Sequence, residues 1–455
     1  MTRNLLKKDW TKLDSADLRL LLEVRIGGPG QYSGEKGDAN RLYLPLADDS
    51  CRVVLRFRGN RISAVEPGLS FDAVQWAQIC AEIDTTILVG PRKIGRDISF
   101  SGFRVTGWWR GSRSGVQILP PPANAPVVPV EMGEHPFILE FPLQVTQVPS
   151  ITSYRRRREH RKLTLLLNVL LVGRVNLQPR QTEHVWVAGP WDGDQTRSQW
   201  LQQWYFADFG EAVADNLTVS TDSLLEEVEA TAYYEQLGYD GRGLRVPVDL
   251  DESICRYLDL APEFREKFDR ALFWMDLASR QWTTSMSSSF ASLVSAVESL
   301  TTRGTIHKVY CKECGKYRDH DVPGPTEQFR DFFETHAFAL SLKKRRNDMY
   351  ALRSGISHGA TLMSFDEDLA FGWDPPGWNQ RELHGDLWSL TRISMRNWLK
   401  NPTAGQGGLD DAGDGRTLCA LAGAIQGVRR QFREMFAKLR VSRRAPPLCD
   451  HCCHL

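Results

Sequence analysis

A change in the spacing of apolar residues near Pro262 constrains this chain more than any other feature. After that point they recur at three- and four-residue steps, the period of a helix with one buried face. Phe264, Phe268, Leu272 and Met275 mark a first helix, and Phe290, Leu293, Val294, Val297 and Leu300 a second that also carries Glu298. Pro325 opens a third over Thr326 to Phe338, as proline does at a first helical turn. A fourth starts near Leu342, and Leu387, Leu390 and Trp398 belong to a fifth. Five such helices, over 262–400, predict an all-α bundle.

The first 200 residues follow another rule. Arg52-Val-Val-Leu-Arg-Phe-Arg, Asp97-Ile-Ser-Phe-Ser-Gly-Phe-Arg-Val and Pro136-Phe-Ile-Leu-Glu-Phe-Pro-Leu read as strands bounded by turn residues. Leu163 to Val172 reads as one more, a buried strand, and Leu119-Pro-Pro-Pro-Ala-Asn-Ala-Pro as an irregular connection. The expected fold class is therefore α+β: a β-rich N-terminal domain (1–205), of regulatory or sensing type, then a connecting segment (206–261) and the bundle. A Gly- and Asp-rich linker (401–415), an amphipathic helix (416–440) and a Cys/His-rich tail (441–455) complete the chain.

Charge excludes a global polyanion trap. The formal net charge is +1 over 455 residues, so a nucleic acid would be held by local patches. The densest is Tyr154-Arg-Arg-Arg-Arg-Glu-His-Arg-Lys162, open to two readings, a solvated loop or strand edge and a phosphate contact. No stretch reaches the roughly 20 apolar residues of a membrane span, and the start lacks the pattern of a secretory signal. The expectation is a cytoplasmic protein with no membrane partner.

Nine cysteines in such a chain argue against a disulfide framework, and five of them fall in two clusters. Cys311-Lys-Glu-Cys314-Gly is a knuckle, half of a tetrahedral zinc site, inserted at 307–324. The other ligands come either from nearby His320 or His307, or from Cys449 and Cys452 in the tail, about 135 residues away. Against a structural zinc stands a vestigial pair beside a disordered tail. Nothing marks an open coordination position for water activation, so any zinc here is expected to be structural.

The most chemically pointed segment is Tyr350-Ala-Leu-Arg353-Ser354-Gly-Ile-Ser-His358-Gly359. A guanidinium holds phosphate in bidentate fashion, and histidine is the side chain that moves protons around neutral pH. Lys343, Lys344, Arg345 and Arg346 lie one to three turns upstream, where they would bring phosphate towards the site, and Gly359 is placed to cap the helix. Arg330 with His336 is a decoy of similar spacing in mid-helix.

The string Tyr350-x-x-Arg353-Ser354-x-x-x-His358-Gly359 resembles the motif of HEPN domains, specifically of Apea-like HEPN proteins. Phe268-Asp-Arg-Ala-x-x-Trp274 and Ser289-Phe-Ala-Ser-Leu-Val-Ser-Ala-Val-Glu298-Ser-Leu resemble that domain's first two helices. The likeness covers roughly Val246 to Leu399. It implies a homodimer whose Arg-His elements meet in one cleft and a metal-independent endoribonuclease of phage defence or a toxin-like system. Arg353 would bind the scissile phosphate, His358 act as general base or acid, and Ser354 orient either of them. The substrate would be tRNA or another cellular RNA, with the trigger unknown. The alternative is a non-catalytic, zinc-containing adaptor that binds nucleic acid or protein.

Overall fold

The computed structural model describes residues 4–28, 30–32, 40–44, 51–122, 125, 135–172, 175–177, 211–235, 243–282, 284–301, 308–311, 316–319, 325–337, 343–367 and 375–402. The fold is mixed α+β, with sheets in the N-terminal region and helices after them. Two compact units divide the chain: Met1–Asp97 with Glu140–Arg161 and Glu211–Thr218, and Ile98–Leu139 with Lys162–Gly210 and Val219–Leu455. Neither follows the expected boundary at 205.

The first unit is built on a four-stranded antiparallel sheet: β1 (Gln31–Tyr32), β2 (Arg41–Leu44), β3 (Val53–Arg58) and β4 (Arg61–Pro67), in that order. Leu42, Leu44, Val53, Leu55, Ile62 and Val65 alternate onto one face. Helix α1 (Ser15–Ile26) adds Leu18, Leu21, Leu22 and Ile26 to that core, and α2 (Ala73–Glu82) adds Ile79. Asp14 caps α1 through the Ala16 N–H, and Gly27 ends it at φ 95°, so both ends carry local stop signals.

Helix α3 (Pro149–Leu170) replaces two expectations. Leu163–Val172 is helix as far as Leu170, not a strand. Residues 163–171 are all buried, and an apolar run of that length has no period to separate the two states. Thr164 Oγ1 lies 3.0 Å from Ser99 Oγ, and Asn168 Oδ1 accepts from the Val175 N–H at 3.2 Å, so each polar side chain that interrupts the run makes a hydrogen bond. The basic stretch 154–162 is likewise helix, neither loop nor strand edge, and much of its charge is used internally. Arg155 is buried against Asp17 at 2.7 Å, Arg156 pairs with Asp97 at 2.6 Å and Arg158 with Asp14 at 2.9 Å. His160 is buried, 3.6 Å from Asp97, and burial pushes its pKa down to about 4.

Strands β5 (Arg92–Ser101) and β8 (His135–Gln144) match two of the expected strands and, like α3, are divided between the units. In the second unit, β6 (Trp109–Arg110) pairs with β7 (Gln117–Leu119), and β9 (Val175–Asn176) pairs with the end of β5. In the first, β10 (Val213–Ala214) pairs with its start. The segment expected to be a plain connection holds β11 (Glu227–Val228), α4 (Ala230–Glu235), β12 (Val246–Pro247) and α5 (Leu250–Leu258). Asp251 on α5 accepts from the Arg113 and Ser114 N–H groups at 2.9 and 3.0 Å.

The helices predicted from periodicity are present in the second unit: α6 (Pro262–Gln281), α7 (Met286–Leu300), α8 (Pro325–His336), α9 (Lys343–Ser357) and α11 (Pro375–Lys400), with a single turn α10 (Ser364–Glu367) between the last two. Helix α6 packs along α7, and α11 touches α5, α7, α8 and α9. Phe268, Met275, Phe290, Val294, Phe329, Met349, Leu387 and Leu390 are its inaccessible centre, and Trp398 stacks on Phe268 at 5.5 Å. Among the described residues no helix is long and apolar enough to cross a membrane.

Candidate functional site

Helix α9 positions the Arg-His element by a buried stripe. Met349 is inaccessible, the Tyr350 ring leans on Phe329 at 5.4 Å, and one turn on Arg353 emerges half-buried at the edge of the bundle. Its guanidinium lies 5.7 Å from the Tyr350 ring centroid. Its Nη2 donates to Glu298 Oε2 of α7 at 3.0 Å, and both side chains keep about a quarter of their surface in solvent. One face of the guanidinium is thereby fixed while part of it stays accessible.

The helix ends in a Schellman turn. The His358 N–H donates to Ser354 O at 3.0 Å, Gly359 N–H to Ile356 O at 3.1 Å and Ala360 N–H to Gly355 O at 2.9 Å. Gly359 takes φ 66°, the left-handed value this turn requires, so the expected glycine cap is present. His358 is thus the last residue before the reversal, and it is exposed. Ser354, half-buried, is one residue from Arg353 and lends its carbonyl to the turn.

The chain after the turn is tied down at three points. Thr361 crosses close over Gly355, where an added Cβ would meet Thr361 Cγ2 at 2.5 Å. The Met363 N–H donates to Ser287 Oγ at 2.8 Å, and the Ser364 N–H to Gln380 Oε1 at 2.7 Å. Asp366 then receives the Met286 and Ser287 N–H groups at 2.8 and 2.7 Å and the Ser285 hydroxyl at 3.0 Å. A carboxylate on free N–H groups at a helix start is favoured by hydrogen bonding and by the dipole. Helix α7 therefore holds the element from both ends, Arg353 by Glu298 and the return from His358 by its N-terminus.

Other expected site residues are used differently. Arg346 is not a surface cation. It is 1% exposed and paired with Glu334 at 2.6 Å, because its position on α9 falls on the inward stripe with Met349. Arg345 turns towards α11, 3.0 Å from buried Asp386 and 3.7 Å from Glu382. Arg346 is thereby withdrawn from the surface, whereas Arg345 keeps about a quarter of its side chain in solvent. Lys343 and Lys344 open α9, and their side chains lie outside the described residues. The decoy separates: Arg330 bonds Asn347 at 3.4 Å, while His336 is buried and held down to a pKa of about 4.

A Ser-His pair that resembles a hydrolytic dyad is sealed. Ser289 Oγ lies 2.8 Å from His384 Nε2 and donates to Ala278 O, but the two residues are 0% and 1% exposed. No substrate reaches them there.

For zinc, Cys311 closes β13 (Lys308–Cys311), which pairs antiparallel with β14 (Lys316–Asp319) so that Cys311 faces Lys316. The Cys311 side chain, Cys314, Cys449, Cys452, His320 and His307 lie outside the described residues, as do 416–440 and the tail. Among the described residues no cluster of three or more metal-ligating side chains forms.

Sequence reasoning placed Glu298 on its helix but gave it no role, and it missed Asp366. Ser285 ahead of an apolar run did signal a helix start. No protein-family model matches this chain, and no curated protein or solved structure matches it either.

Proposed function

We propose that the helices of the second unit form a HEPN-type, metal-independent endoribonuclease acting as a cytoplasmic homodimer. One observation carries the reading. A guanidinium braced by Glu298 keeps an accessible face, five residues before an exposed imidazole on a rigid turn. The likeness of the motif and of helices α6 and α7 to that family adds the expectation of a two-fold cleft with two such elements.

The chemistry needs little else. The 2′-hydroxyl of a ribose gives its proton to a base, its oxygen bonds to the adjacent phosphorus, and the bond from phosphorus to O5′ breaks as that oxygen takes up a proton. The products are a 2′,3′-cyclic phosphate and a 5′-hydroxyl. Arg353 stabilises charge on the phosphoryl oxygens, and His358, with its counterpart on the partner subunit, moves the protons. RNA supplies its own nucleophile, so no metal takes part. Control by the N-terminal region is suggested by the two-part arrangement of the chain, and a role in defence or toxin action follows from the family alone.

The test is to incubate the protein with total cellular RNA, with and without chelator, and map the new ends. Cyclic phosphate ends that vanish in His358→Ala and Arg353→Ala support the reading. Cleavage retained by both variants removes it.

The β13–β14 hairpin favours a second reading, a zinc-stabilised binding adaptor. Cys311 ends one strand of the hairpin and Cys314 follows it in sequence before the next, the spacing of half a structural zinc site. Tail cysteines or local histidines would complete it. In that case Cys311→Ser and Cys314→Ser abolish function, and the Arg353 and His358 variants do not.

A further inference from the structure

Arg353 is held from two directions by two kinds of chemistry. Glu298 of α7 accepts one N–H of the guanidinium, Nη2, at 3.0 Å. A single hydrogen bond pins one corner of a planar fork and leaves the plane free to turn about it. The second contact is a ring. Side chains on a helix lean towards its N-terminus, so Arg353 reaches back over the turn that carries Tyr350, three residues earlier. Its guanidinium carbon lies over that ring, 5.7 Å from the centroid, within the range at which an aromatic face attracts a cation.

The ring is itself held in place. Tyr350 is half-buried, and its centroid is 5.4 Å from that of Phe329 on α8, which is inaccessible. Tyr350 cannot swing out from under the guanidinium without giving up that packing. A ring contact also uses no N–H, so the donors that Glu298 leaves over are kept for an anion.

We infer that Tyr350 is a positioning residue: the attraction of its ring for the guanidinium sets the pose in which Arg353 receives the scissile phosphate. The role rests on the proposed ribonuclease reading; the contact itself does not. Tyr350 acts only through Arg353 and touches no reacting atom. Without the ring, the arginine regains rotamers that one bond to Glu298 does not exclude, and part of the population is misaimed when the phosphate arrives.

The test separates the electrostatics of the ring from its shape, in the full chain. Tyr350→Leu removes the ring, and Tyr350→Phe keeps it. Phenylalanines carrying one, two or three ring fluorines at the same position keep the shape while weakening the pull of the face on a cation. Measured on a mapped RNA site, kcat should fall about tenfold in Tyr350→Leu with KM within about twofold, and Tyr350→Phe should recover most of the loss. Along the fluorinated series kcat should fall stepwise, a trend that a purely structural ring would not give. A second readout needs no cleavage: the side-chain N–H resonance of Arg353 in protein with isotope-labelled arginine, assigned by its absence from Arg353→Lys. The ring current of Tyr350 displaces it, so it should move in Tyr350→Leu and stay near its place in Tyr350→Phe.

Equal kcat across the fluorinated series overturns the inference, as does an Arg353 resonance that Tyr350→Leu leaves in place. A resonance that moves with the ring in a protein that cuts nothing retains the contact while the ribonuclease reading fails.

Discussion

Glu298 and Arg353, fifty-five residues apart in sequence, meet at 3.0 Å across helices α7 and α9. In the ribonuclease reading this contact aims the guanidinium rather than quenching it, because the pair is partly solvated. Glu298→Gln keeps an acceptor but loses the charge, and cleavage is expected to fall about tenfold, near 1.5 kcal/mol for a hydrogen bond to a charged group. Arg353→Lys keeps the charge without the planar fork and is expected to lose about 100-fold or more, the scale of one positioned donor. Single-turnover rates on a mapped RNA site decide it; a faster Glu298→Gln enzyme would mean that the carboxylate inhibits.

Asp366 holds the chain that follows His358. Asp366→Ala leaves the Met286 and Ser287 N–H groups to solvent and frees the return strand, so kcat should fall while RNA affinity holds. Loss of a helix-start acceptor also costs about 1 kcal/mol of stability. Asp366→Asn retains one acceptor oxygen and should recover part of both effects. Equal losses in kcat and in affinity would show general unfolding instead.

The helices of the second unit were legible because each shows one apolar stripe, as Phe268, Leu272 and Met275 do on α6. Strands β3, β5 and β8 were legible from the turn residues around them. Helix α3 was not, since its residues 163–170 are buried all round and show no polar face to set a period, and its arginines find partners that no local pattern names. Helix α1 carried both its capping signals, Asp14 and Gly27, inside a region read as β-rich. At the site, Arg353, His358 and Gly359 share one short string. Glu298 and Asp366 join it through tertiary contacts only, and a single sequence does not display those.

Arg155 illustrates the cost of reading a basic run as surface. It bonds Asp17 at 2.7 Å and the carbonyls of Ile87 and Gln144 at 3.3 Å, all within the first unit. Arg155→Ala strands a buried carboxylate and should cost about 3–5 kcal/mol. Arg155→Met with Asp17→Leu removes both charges and should restore most of that stability. Urea unfolding of the three proteins measures it, and a double variant as unstable as Arg155→Ala would show that the carbonyl contacts dominate.

His336 sets an acid limit on the second unit. It is buried beside the Phe332 ring, 4.8 Å between centroids, and burial holds its pKa down to about 4, against 6.5 ordinarily. Between those values the unfolded chain binds a proton that the folded chain refuses. Stability from this group is therefore complete above about pH 6.5 and is lost as pH falls towards 4, at about 1.4 kcal/mol per unit. His336→Phe keeps an aromatic ring and removes the titration, and the Asn397 bond to the residue 336 carbonyl is backbone and survives. His160 obeys the same sign in the first unit, so each histidine should contribute its own share to the acid limb. Urea midpoints at pH 7 and 4.5 for wild type, His336→Phe, His160→Phe and the double variant test this. The acid loss should shrink stepwise with each ring, and four equal losses would place the acid sensitivity in the carboxylates.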